Sequence, residues 1–153
     1  MTISLPEEDR SYRSRQHLTE DIVSLLGGRA AEMLALGDIS TGAGNDIRRA
    51  TDLARRMVGT YGMSDKLGNT AFDSESDEVF IGKSMGHTRP YSEQTAAAMD
   101  GEIRAIMDGA YEKAQEILQQ HRTELDTVAE YLLAHETMGS DEFERIFSGD
   151  TRK

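Results

Sequence analysis

The sequence contains no cysteine, so neither a disulfide framework nor a thiolate metal site is available to it. It has no tryptophan and only two prolines, and with so few breakers long helices can run uninterrupted. Positive charge is scarce: 17 Lys and Arg against 28 Asp and Glu leave a net charge of −11. That balance argues against nucleic acid as a partner, since phosphate binding needs a basic stripe. It argues equally against an anionic membrane surface. Long hydrophobic runs are missing too. Nothing approaches the roughly 18 apolar residues of a membrane span, and the most apolar stretch, residues 22–36, is broken by Ser24, Arg29 and Glu32. The opening MTISLPEEDR lacks the basic start and apolar core of a signal peptide.

What remains is a chain of 153 residues, 37% hydrophobic and 29% charged, which fits a single domain able to bury a real core. Apolar residues recur at helical spacing in most of it, so the expected fold class is mainly α, a bundle of about four to five helices. The first helix runs from about Ser14 to Leu36, with Leu18, Ile22, Leu25, Leu26, Ala30, Met33 and Leu34 on its apolar face. Gly27 and Gly28 interrupt it at a cost of up to ~1 kcal/mol each, which suggests a close approach by another backbone. Arg29 and Glu32, three apart, are placed to pair on its surface.

Further on, Ser92 or Thr95 caps a long helix reaching about His121, with Ile103, Ile106, Met107, Ala110, Ala114, Ile117 and Leu118 inward. A last helical pair follows. Leu125, Val128, Ala129, Leu132 and Leu133 face inward on the first, and Phe143, Ile146 and Phe147 anchor the second, which Ser140 caps. Strand is expected only near Thr2–Arg10 and as a small β-hairpin or short strands, Thr70–Phe72 with Glu78–Ile81. Residues 148–153 read as a frayed tail.

Between these lies STGAGNDIRRATDLARRMVGTY, Ser40 to Tyr61. Small, turn-prone residues pass into a helix whose apolar face is Ile47, Ala50, Ala54, Met57, Val58 and Tyr61, closed by Gly62. Thr41 is the expected N-cap, and Asp46 falls in the first turn. Its ordinary reading is a carboxylate stabilised by the helix dipole, by a few tenths of a kcal/mol up to ~1.

STGAGNDIRRATDLARRMV, with LLGGRAAEML before it and YGMSDKLG after it, closely resembles the peptidase domain of FtsH-type proteases, from about Leu5 to Phe147. These are membrane-anchored, ATP-dependent zinc metalloproteases. The resemblance implies that Asp46 is the third protein ligand of the catalytic zinc. In that family the other two ligands and the catalytic Glu come from an HExxH helix earlier in the chain, which this sequence does not contain. The implied whole is a hexameric enzyme degrading membrane and soluble proteins. ATP is bound by an upstream module, and the peptidase domain lies on the cytoplasmic side. On this reading Met1 is an introduced start, and the chain is a soluble C-terminal piece, inactive and without zinc by itself.

The remaining chemistry is thin. His17, His87, His121 and His135 are never four apart, and none follows a Glu by three residues, which excludes the paired motifs of HExxH and di-iron sites. Zinc hydrolysis needs three protein ligands and an open position for water; here one ligand is visible. His87 reads as an exposed loop residue; Glu32 reads as half of a surface ion pair, the other reading being a group that supports the metal site. Gly42-Ala43-Gly44 lacks the Lys-Ser/Thr that follows a phosphate loop. The rival reading is a non-catalytic helical oligomerisation or scaffold module.

Overall fold

The computed structural model describes residues 12–72 and 91–148. Five helices carry them: α1 (Arg15–Leu36), α2 (Gly44–Gly59), α3 (Glu93–Gln120), α4 (Arg122–His135) and α5 (Ser140–Ser148). The chain is mainly helical, as its periodicity implies.

α1 starts where the Ser14 hydroxyl accepts the His17 N–H at 3.1 Å, and stops at Gly37, whose left-handed φ of 67° returns its N–H to the Met33 carbonyl. Leu18, Ile22, Leu26 and Ala30, each four residues on, are its buried face. Leu18, Ile22 and Leu26 meet Ala50, Ala54 and Met57 of α2 and Ala110 of α3 in one core. Ile22, Met57 and Val58 are its largest fully enclosed side chains, each contributing about 1.5–3 kcal/mol by leaving water. Small residues on α2 and α3 let the three helices approach closely around the larger side chains of α1.

The glycine pair plays no part in that approach. Among the described residues, no neighbouring atom lies within 4 Å of where a Cβ would stand at Gly27 or Gly28. One and two positions beyond Leu26, they are rotated about 100° and 200° off the buried stripe.

α3 begins as expected, with the Ser92 hydroxyl accepting the Thr95 N–H at 3.2 Å. Met99 joins its buried positions, while Ile117 is left exposed. Between α2 and residue 72 the chain is irregular, held by its turns and its polar contacts. Gly62 takes φ 61°, and a Cβ there would stand 3.3 Å from the Thr70 nitrogen. Ser64, 4% exposed, donates its hydroxyl to Glu102 at 2.8 Å, and Lys66 reaches the same carboxylate at 2.7 Å. Asp65 takes a two-pronged bond from Arg15, at 2.9 and 3.1 Å. The expected strand Thr70–Phe72 is not formed: Phe72 gives its N–H to the Gly59 carbonyl, tying it to the end of α2. Its expected partner Glu78–Ile81, the N-terminal strand and the frayed tail fall outside the described residues.

The last two helices depart furthest from expectation. Neither α4 nor α5 contains a buried residue. Leu132 and Leu133, read as inward, are 39% and 87% exposed, and Phe143 and Phe147 are nearly half exposed. Nothing among the described residues covers that stripe. The pair is held by local contacts: Tyr131 donates to Glu142, and the Phe147 ring lies 5.7 Å from His121 and 4.8 Å from Phe143. α5 starts at Ser140 itself, with Phe143 reaching back to the Gly139 carbonyl, so Ser140 lies inside the first turn.

Candidate functional site

The reversal from α1 into α2 builds the site. After Gly37 the chain passes through Asp38 and Ile39 to Ser40, and a 3-10 turn, Thr41–Ala43, leads directly into α2. The cap of that turn is Ser40 and not the expected Thr41: the Ser40 hydroxyl accepts the Gly42 N–H at 3.1 Å. Ala43 then occupies the cap position of α2 without any side-chain bond, and is 7% exposed.

Asp46 is the third residue of α2, where the unpaired N–H groups and the dipole favour an anion. Its side chain is 45% exposed, and Arg49 approaches it at 3.6 Å. The carboxylate borders an open cleft of about 790 Å³ between the first half of α1 and the outer face of α2. Arg13, Asp21, Ser24 and Leu25 form one wall; Asn45, Asp46, Arg49, Asp52, Leu53 and Arg56 form the other. Charge along it is balanced by pairs: Arg13 with Asp21 at 3.2 Å and Asp52 with Arg55 at 3.6 Å.

Glu32 is not engaged as its sequence neighbours suggest. In place of a bond to Arg29 it accepts two from Ser40, the backbone N–H and the hydroxyl, each at 2.8 Å. Those two donors hold its carboxyl below the ordinary glutamate range. The expectation of a surface ion pair fails because the partner is eight residues away across a chain reversal, where i,i+3 counting does not look.

As a metal centre, the cleft offers three carboxylates, Asp21, Asp46 and Asp52, of which the family resemblance points to Asp46. Asp46 has the right chemistry for one position, a half-exposed carboxylate that Arg49 approaches only at 3.6 Å. Among the described residues, however, no three His, Cys, Asp or Glu side chains are grouped to hold an ion. The histidines do not complete it. His17, His121 and His135 do not line the cleft; His121 joins α3 to α4, and His135 stacks on Tyr131 at 4.3 Å. His87 lies outside the described residues. So does Gly82–Gly86, whose spelling G-K-S-M-G fits the G-x-S-x-G pattern of nucleophile elbows. Five letters without a strand–turn–helix context carry no assignment.

Comparison with known proteins finds matches along nearly the whole chain. The family model described as peptidase family M41 matches residues 1–146. "ATP-dependent zinc metalloprotease FtsH 1" of Thermoanaerobacter sp. (strain X514) is 49% identical over 149 residues, 97% of this chain and 24% of that protein. "ATP-dependent zinc metalloprotease FtsH" of Caldicellulosiruptor bescii is 48% identical over 99% of the chain, and that of Thermotoga maritima 46% over 99%. The chain spans about a quarter of the length of these relatives.

Proposed function

This chain belongs to peptidase family M41, and on that premise we propose that it forms part of an ATP-dependent zinc metalloendopeptidase that degrades membrane and soluble proteins. The observation that carries the reading is Asp46, an accessible carboxylate on the first turn of α2 beside an open cleft, inside a chain that matches the family along its length. Asp46 is one of the zinc's protein ligands. The rest of the set, two histidines of an HExxH helix, is absent from this sequence. When bound, zinc supplies a polarised water for peptide-bond hydrolysis. This chain's own residues present one ligand oxygen and form a cleft wall along which a substrate segment lies. The implied enzyme is hexameric and membrane-anchored, with its peptidase part on the cytoplasmic side. The exposed apolar stripe of α4 and α5 is consistent with further packing in such an assembly, and by itself also fits a scaffold without catalysis.

One substitution separates the readings. In the full-length protease, Asp46→Asn removes a charge and a coordinating oxygen, so zinc content and proteolysis are lost while ATP hydrolysis survives. Asp108→Asn, exposed on α3, is the control and leaves all three unchanged. Full proteolysis by the Asp46→Asn protein refutes the ligand assignment. The 153-residue chain alone retains no stoichiometric zinc after dialysis and does not cleave an unfolded protein; metal analysis near one zinc per chain refutes that.

A further inference from the structure

We propose that Arg49 is a tethered counter-ion of Asp46: its guanidinium competes with the metal for that carboxylate and so lowers the affinity of the site for zinc. This rests on the reading of Asp46 as a metal ligand. The two side chains stand one turn apart on α2, and both line the cleft. Nη1 of Arg49 lies 3.6 Å from Oδ1 of Asp46, too far for a hydrogen bond but close enough for a Coulomb contact. Arg49 is 62% exposed and Asp46 45%, so the contact breaks easily. A carboxylate holds zinc through its oxygen, whereas a guanidinium has no lone pair to offer a metal. Arg49 can therefore only oppose a cation that takes up the same carboxylate.

The other cations of the cleft are placed differently. Arg13, on the opposite wall, is held by Asp21 at 3.2 Å. Arg56 lies two to three turns beyond Asp46, about 15 Å along the helix axis. Among the described residues, Arg49 is the cation that reaches Asp46. α2 also contains a second pair of the same form: Asp52 and Arg55 have the same spacing and the same 3.6 Å separation. As pairs that stabilise a helix the two are equivalent, and at such exposure each contributes little. Only Asp46 carries the ligand role. A purely structural role therefore gives the same behaviour at both pairs, and competition with the metal gives a difference at Arg49 alone.

The test measures the zinc affinity of the full-length protease by chelator competition at low salt, for Arg49→Gln, Arg49→Lys, Arg55→Gln and Asp46→Asn. Arg49→Gln is expected to bind zinc about two- to fivefold more tightly than the parent, the range that an exposed ion pair covers. That gain should shrink as added salt screens the charge. Arg49→Lys keeps the charge and should match the parent, as should Arg55→Gln. Unchanged or weaker zinc binding by Arg49→Gln, with zinc lost in Asp46→Asn, overturns the counter-ion and leaves the ligand reading standing. An equal gain in Arg55→Gln assigns the effect to the overall charge of α2 and likewise overturns the proposal. Zinc retained by Asp46→Asn overturns both readings.

Discussion

Ile22 on α1 and Leu133 on α4 belong to equally regular apolar stripes, yet Ile22 is fully enclosed and Leu133 is 87% exposed. α1, α2 and α3 surround one another, so each stripe finds two partners. α4 and α5 touch chiefly each other, and none of their residues is buried. A helical period reports which face is apolar; what covers that face is a property of topology. The candidate site lies wholly within the first region, on the reversal between α1 and α2. Its precision is therefore drawn from the dense core and owes nothing to the arm.

The largest effect should come from hollowing that core. Ile22→Ala is expected to cost about 2–5 kcal/mol in urea unfolding, since both transfer energy and a cavity are lost. Leu133→Ala, the same kind of truncation in the arm, should stay within about 0.5 kcal/mol. Similar losses at the two positions would erase the distinction between the regions.

Glycines give a second contrast, of opposite sign at two places. Gly62 combines a positive φ with a neighbouring backbone 3.3 Å from any Cβ, so Gly62→Ala should destabilise by about 1–3 kcal/mol. Gly28 is an ordinary helical residue facing open space, so Gly28→Ala should stabilise by up to about 1 kcal/mol. Thermal melts of both check the sign. A destabilising Gly28→Ala would reinstate the close helix contact that its sequence suggests.

Much of the first region is legible from sequence because its signals are local. Ser14, Ser92 and Gly37 mark helix ends by side-chain and backbone chemistry within three or four residues. Leu18, Ile22, Leu26 and Ala30 mark the buried face by period. Asp46 is legible through family resemblance; its first-turn position alone says only that a dipole favours it. What stays hidden is what depends on three dimensions. Glu32 reaches across a reversal to Ser40, Ser64 in the segment after α2 finds Glu102 on α3, 38 residues away, and the α4 stripe has no cover among the described residues.

The Ser64–Glu102 contact yields a pH prediction. Lys66, then Ser64, holds the Glu102 carboxyl below the ordinary glutamate range. Its folded state therefore binds a proton less readily than the unfolded chain. The stabilisation is complete above the unfolded value, about 4.3, and is lost as pH falls through the lower folded one. Glu102→Gln should melt earlier than the parent at neutral pH, and the gap should close on acidification below about pH 4. A gap that widens with acid contradicts the sign.

The last expected effect concerns a hydrogen bond that joins α4 to the end of α1. Arg122, at the start of α4, donates to the Leu34 carbonyl at 3.0 Å, one of the acceptors left free at the end of α1. Its Nε also holds Asp126, at 3.0 Å, one turn further along α4. Arg122→Ala removes both contacts but opens no cavity, so the global cost should be about 0.5–1.5 kcal/mol. The informative readout is local. With few buried contacts, α4 and α5 should already exchange amide hydrogens through openings cheaper than global unfolding. Arg122→Ala should speed exchange in residues 122–135 several-fold and leave Leu18–Ala30 unchanged. Equal acceleration in both regions would mean that the arm and the body unfold as one unit, and the division between them would fall.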